Sequence, residues 1–220
     1  MPYPNTKTIR LLGDSIFDNA AYVPGQPPVA EQLQEKVKGH SIRVALSAVD
    51  GAVTEDVSTS QLSNILTEDE LLVLSTGGND ALRHIELLFE QSSQKIEETL
   101  ARFHFIRERF RKDYETLLNE LKTTNLPVLI CTIYNPDFER DEDTKNLQKP
   151  AEAALSFFND VIVQEATKRL FPLLDLREVA NESGDFANPI EPSFQGGDKI
   201  TERICDWALS TIASQSTKSA

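Results

Sequence analysis

Three residues of this chain are placed so that a hydroxyl, a backbone N–H and a side-chain amide could meet one carbonyl group. Ser15 follows Gly13 and Asp14 directly after the apolar run Ile9-Arg10-Leu11-Leu12. Gly51 follows Asp50 a few residues after the run Ile42 to Leu46, and Asn79 follows Gly77-Gly78 after the run Leu71 to Leu74, with Asp80 next. Ligands of open α/β sheets bind at the carboxyl ends of the strands, so residues just past three strands share one edge. The chemistry such a set would perform is acyl transfer. Ser15 would attack, and the Gly51 N–H and the Asn79 amide would hold the charge that develops on the carbonyl oxygen. Each residue also has a plainer role open to it: Ser15 as a helix N-cap, Asn79 and Gly51 as turn residues. Asp14 is expected to order the serine turn through side-chain-to-backbone bonds. Gly77 and Gly78 allow close backbone approach, and with no Gly-x-x-x-x-Gly-Lys loop a nucleotide site is not indicated.

The elements that must position these residues alternate strand with helix, the pattern of parallel βαβ units. Strands are expected at Thr8–Leu12, Ser41–Ser47, Glu70–Leu74, Val128–Ile133 and Leu173–Leu176. Helices are expected at Val29–Val37, Ser58–Leu66, from Ala81 with Asp80 as cap, Lys95–Lys122, Ala151–Leu170 and Asp198–Ala213. In the longest of them Ile96, Leu100, Phe103, Phe110, Tyr114, Leu117 and Leu121 form one apolar stripe. The segment Asn19–Pro28 reads as a loop, the acidic stretch Asn135–Lys149 as a lid-like loop, and Ala180–Gly197 as irregular. The fold expected is a three-layer α/β/α sandwich on a five-stranded parallel sheet, flavodoxin-like, with residues 1–220 as a single domain.

Taken in order, Gly13-Asp14-Ser15, Gly51 and Gly77-Gly78-Asn79-Asp80 resemble the first three sequence blocks of the SGNH hydrolases, the GDSL esterase/lipase family. The resemblance implies an ester hydrolase that needs no metal or cofactor. The family's last block reads Asp-x-x-His before a proline and a C-terminal helix. Here that segment is Asn188-Pro189-Ile190-Glu191-Pro192, so the acid falls on Asn188 and the base on Glu191. The chain's three histidines offer no replacement. His40 precedes strand two, at the far end of the sheet from Ser15; His104 lies within the long helix; His84 sits on the helix after Asn79. A carboxylate near its usual pKa of about 4.3 is a poor acceptor for a serine proton, so Glu191 would need burial beside Ile190, Pro192 and Phe194 to serve. The alternative role for Glu191 is a structural carboxylate bonded to Ser15 or to backbone N–H groups.

Two functions follow. One is a serine esterase or acyl hydrolase acting on a small or medium acyl ester through Ser15, Gly51, Asn79 and Glu191. The other is a catalytically impaired domain that binds an acylated or glycosylated ligand in the same cleft. The partner in the first case is a small-molecule ester. The net charge of −13 argues against nucleic acid and anionic membranes. No apolar run is long enough for a membrane span, and the N-terminal residues lack an apolar signal region, which together suggest a cytoplasmic protein. Cys131 and Cys205, far apart and in apolar settings, are expected to be buried and unpaired.

Overall fold

The computed structural model describes residues 6–66, 70–89 and 95–218. Met1–Asn5, most of the N-terminal segment judged for a signal region, lie outside the described residues. Five strands form one parallel sheet: β1 (Lys7–Gly13), β2 (Ile42–Leu46), β3 (Glu70–Ser75), β4 (Val128–Cys131) and β5 (Leu173–Leu174), in the order β2-β1-β3-β4-β5. Chain order leaves β1 in one direction to reach β2 and in the other to reach β3. The crevice between the carboxyl ends of β1 and β3 is therefore the topological switch point of the sheet.

Continuous apolar runs make the strands because both sheet faces are covered. On one face Ile9, Leu11, Leu71, Val73 and Leu129 pack with α1 (Val29–Lys36) and α6 (Phe194–Lys218), through Leu33, Ile200, Ile204 and Ala208. On the other face Leu12, Leu72, Leu74, Val128 and Ile130 pack with two longer helices. These are α4 (Ile96–Thr123) and α5 (Gln148–Lys168), whose Tyr114, Leu117, Leu118, Leu121, Phe158 and Ile162 complete that layer. This is the three-layer sandwich expected. Two short helices, α2 (Thr54–Asp56) and α3 (Gly78–Leu82), follow β2 and β3. Cys131 and Cys205 are buried and free.

Several boundaries differ from expectation. The helix placed at Ser58–Leu66 starts earlier, as α2, and continues as a π turn over Val57–Gln61 and a 3-10 turn over Leu62–Asn64. Asp56 Oδ2 accepting from the Val53 N–H starts that segment. Helix α3 begins at Gly78, and Asp80 lies inside it: its carboxylate accepts from the Thr54 N–H and hydroxyl instead of capping. The acidic segment 135–149 is no free lid. Phe138 and Leu147 are buried with Ala151, Asp137 N–H donates to Pro189 O at 2.8 Å, and Arg140 Nη1 donates to Phe186 O at 2.8 Å. It is a wall tied to the loop that carries Glu191.

Helix α4 departs most from a core stripe. It has 28 residues, about 42 Å at helical rise, whereas β3 has 6 residues. Only its C-terminal half, from Phe110 to Leu121, has buried residues. The helix runs back across the sheet to start β4, so its first turns project beyond the strands' carboxyl edge. Ile96 and Leu100, expected in the core stripe, are exposed there.

Candidate active site

Gly13 closes β1 with φ +130°, and a Cβ there would meet Ser75 O at 1.7 Å, so only glycine fits between β1 and β3. The Gln61 side chain pairs with the Gly13 backbone, accepting from its N–H at 2.7 Å and donating to its carbonyl at 2.8 Å. Asp14 then orders the turn as expected: Oδ1 accepts from the Ile16 N–H at 3.2 Å, and its carbonyl accepts from the Phe17 and Asp18 N–H groups. Ser15 stands on this clamped turn, only 6% exposed.

Its hydroxyl donates to Glu191 Oε1 at 3.0 Å. The two residues are 176 positions apart, and the loop that brings them together is held at almost every backbone group. Asn188 Oδ1 accepts from the N–H groups of Ile190 and Glu191, at 2.9 and 3.0 Å. Glu191 O accepts from the Ala187 N–H at 2.8 Å. On either side, Ile190 O accepts from the Tyr134 hydroxyl at 2.7 Å and Pro192 O accepts from Asn19 Nδ2 at 3.2 Å. Asn188 thus orients the backbone of residue 191 and makes no bond to its side chain. Tyr134, Asn19 and Gln61 escaped the sequence reading. Their bonds run between side chain and backbone across long separations, which leaves no local pattern.

Glu191 is 5% exposed, and its second oxygen, Oε2, is buried with no hydrogen-bond partner. Burial raises its pKa, the Ser15 hydroxyl pulls it down and the Asp50 charge raises it further, leaving it at about 7. Asp14 is pushed up to about 8, chiefly by burial; the Ile16 N–H opposes this and the charges of Glu191 and Asp80 add to it. Asp50 itself accepts from the Tyr22 hydroxyl at 2.9 Å, a bond that, with burial and nearby carboxylates, lifts Tyr22 to about 12.

Asn79 lines the same cleft as Ser15 and Glu191. Its Nδ2 donates to Ala52 O at 3.0 Å, which leaves one of the two amide hydrogens for a ligand. Together with the Asp80–Thr54 bonds this lashes the loop after β2 to the turn after β3. Gly51 sits on that loop with φ +80° and, among the described residues, no partner for its N–H; it does not line the cleft wall itself. The Ser15 N–H likewise has no protein partner among the described residues. Of the histidines, His84 lines the cleft without a bond to Ser15, His104 lies in a surface groove between α4 and α5, and His40 is exposed. Among the described residues, no group of three or more His, Cys, Asp or Glu side chains is arranged to hold a metal ion.

Residues 11–195 match the model of the GDSL-like Lipase/Acylhydrolase family. The chain belongs to this family. Its members and structural relatives are ester-hydrolysing enzymes, and its fold is theirs. Phospholipase A1 from Streptomyces albidoflavus superposes with a TM-score of 0.64 at 15% identity, over 88% of this chain and 96% of that one. Esterase EstA from Pseudoalteromonas gives 0.63 at 17% identity, over 92% and 99%. Axe2, an acetylxylan esterase from Geobacillus stearothermophilus, gives 0.61 at 16% identity, over 92% and 94%. No curated protein matches the sequence. No described helix of this GDSL-like chain is long and apolar enough to cross a membrane.

Proposed function

We propose that this GDSL-like protein hydrolyses carboxylic esters of small or medium acyl groups, with Ser15 as nucleophile and Glu191 as its base. The observation that carries the reading is the 3.0 Å bond from Ser15 Oγ to Glu191 Oε1 inside an apolar cleft. A carboxylate at its ordinary pKa would not draw the serine proton effectively, but burial moves Glu191 to about 7, the range suited to a base at neutral pH.

Ser15 Oγ adds to the ester carbonyl while its proton passes to Glu191 Oε1. The carbonyl π pair moves onto oxygen, where the second Asn79 N–H donates to it; the Gly51 N–H, on the loop that Asn79 ties down beside the cleft, is the second donor this reading assigns. The intermediate collapses, the alkoxide leaves with the proton from Glu191, and an acyl-serine remains. Water then repeats the sequence: it gives a proton to Glu191, adds to the acyl carbon, and expels Ser15, which recovers the proton. Asp14, raised to about 8, is neutral at pH 7 and so does not oppose the developing negative charge beside it.

An organophosphonate ester probe tests this. Mass spectrometry should find the adduct on Ser15 of folded protein, and Glu191→Gln should slow its formation sharply. Unlabelled Ser15, under conditions that label a known serine esterase, would favour a domain that binds an acylated ligand without turnover.

A further inference from the structure

The cleft that holds Ser15 extends well beyond the reacting residues. It encloses about 970 Å³ including its open mouth, and most of its lining is apolar. Its floor is the site just described. Its walls are the overhanging first turns of α4 (Phe103, Ile106), the start of α5 (Ala154, Leu155) and the 3-10 turn Ile85–Leu88. Phe103 stacks on Phe157 of α5, with ring centroids 5.6 Å apart. The overhang therefore has a definite job: where α4 passes the end of the sheet, it roofs a cavity where a shorter helix would leave open solvent.

The depth of that cavity follows from the helix itself. Phe110 lies against Gly77, whose added Cβ would come 3.0 Å from the Phe110 ring, so Phe110 marks the level of the oxyanion turn. Phe103 is seven residues earlier, about 10 Å further out along the axis. With C–C bonds of about 1.5 Å in an extended zigzag, an alkyl chain advances roughly 1.25 Å per carbon, so that axial separation of Phe110 and Phe103 matches a chain of about eight carbons.

We propose that this cavity is the acyl-chain site of the enzyme, that it selects acyl groups of about eight carbons over acetyl groups, and that Ala154 and Phe103 set the length. The inference rests on the esterase reading for its kinetic test and is independent of it for its binding test. Ala154 contributes only a methyl group to the wall, which leaves room for the chain. The Phe103 ring, braced by Phe157, closes the far end. Each methylene removed from water on entering such a site raises kcat/KM about three- to fourfold.

The kinetic test is a series of p-nitrophenyl esters from acetyl to palmitoyl. The expected profile rises about 10³-fold in kcat/KM from acetyl to octanoyl, six methylenes at three- to fourfold each, and falls again for chains longer than the cavity. In Ala154→Phe the octanoyl-to-acetyl ratio should drop at least tenfold; in Phe103→Ala the optimum should move to longer chains. A flat profile, an acetyl optimum, or an unchanged ratio in Ala154→Phe whose circular dichroism matches wild type overturns the proposal while leaving the esterase reading intact. The binding test uses Ser15→Ala, which cannot turn over, with methyl octanoate and methyl acetate as probes in saturation-transfer NMR. Octanoate ester should bind and acetate should not, and adding Ala154→Phe should remove the binding. If wild type hydrolyses nothing but Ser15→Ala binds methyl octanoate, the esterase reading falls and the acyl site stands. If methyl octanoate does not bind, the acyl site falls.

Discussion

Glu165 and Glu191 are both buried glutamates, and the protein treats them in opposite ways. Glu165, on α5, is wholly inaccessible and meets three cations: Arg111 Nη1 at 2.7 Å, Lys168 Nζ at 2.5 Å and Arg169 Nη1 at 2.8 Å. Burial alone would raise its pKa, but the bonds from Lys168, Arg169 and Arg111 outweigh it and leave it at about 2. Glu191 has one neutral donor, Ser15, and an orphaned second oxygen, and burial lifts it to about 7. A buried charge that serves only the fold is surrounded by partners that keep it charged at every ordinary pH. A buried carboxyl left without a cation has its proton affinity raised into the range where it can take and return a proton. The pair separates a clamp between α4 and α5 from a group poised for chemistry.

The largest expected effect breaks the comparison at its functional end. Glu191→Gln keeps the shape and removes the base, so ester hydrolysis should fall by about 10³-fold or more, in line with loss of a triad member in serine hydrolases. Steady-state rates on an aryl ester, taken per mole of protein whose circular dichroism matches wild type, measure it; an unimpaired variant would mean that the proton leaves Ser15 by another route. For wild type, activity should rise with pH along a limb centred near 7, because the base works only when deprotonated. Glu165→Gln should leave that limb in place.

The same substitution at the structural end should act on stability. Glu165→Gln strips the charge that three cations share, leaving Arg111, Lys168 and Arg169 to repel one another. It should cost about 3 kcal/mol, read from urea unfolding. Because the native pKa of Glu165 is depressed, this contribution is present above about pH 4.5 and is lost as pH falls through about 2. A loss under about 0.5 kcal/mol would place Glu165 with ordinary surface ion pairs.

What could be read from the chain follows the same division. The strands were legible because both faces of the sheet are buried and the apolar runs are unbroken. Ser15 and Asn79 were legible because glycine-bearing turns at strand ends mark the sheet's working edge. The Glu191 bond to Ser15 was legible only through the resemblance of the last block to the family's, since residues 180–193 carry no more than a short 3-10 turn and are placed by Asn188, Tyr134 and Asn19 through side-chain-to-backbone bonds. The roof over the cavity was hidden for a different reason. An apolar stripe such as Leu100, Phe103 and Phe110 has the same spacing whether it faces a core, a cavity or water, and only the length of the strands beneath α4 decides. Asp14 reads as a turn residue, which it is, but its burial and the Glu191 and Asp80 charges that raise its pKa come from tertiary packing that leaves no local pattern.

A smaller effect sharpens the comparison by exchanging one base for another. Asn188→Asp with Glu191→His restores the family's Asp-x-x-His block. Asn188 Oδ1 holds two backbone N–H groups, and an aspartate oxygen can hold the same two, so the loop should keep its path. Imidazole has a pKa of about 6.5, already close to the value of about 7 that burial gives Glu191. The gain in rate at neutral pH should therefore be no more than about tenfold. A gain of several hundredfold would mean that Glu191 is a much weaker base in solution than its surroundings imply.

The smallest effect is also the one whose sign is least intuitive: Glu191→Gln should make the protein more stable. A carboxyl whose native pKa is raised from 4.5 to about 7 favours folding while it is protonated. That advantage is complete below about pH 4.5, is lost progressively as pH rises, and is gone above about 7, where the fold must bury an unpaired charge. Glutamine is neutral throughout and avoids the penalty. Near pH 8 the variant should gain about 1–2 kcal/mol, less than the full linkage of the shift because Ser15 loses a charged acceptor. Near pH 4.5 the two proteins should differ little. Urea midpoints at the two pH values, compared with those of Glu165→Gln, provide the measurement, and the two glutamates should give opposite signs at pH 8. A Glu191→Gln variant that is less stable than wild type at pH 8 would show that the Glu191 charge is compensated in the fold, and would remove the physical basis for treating it as the base.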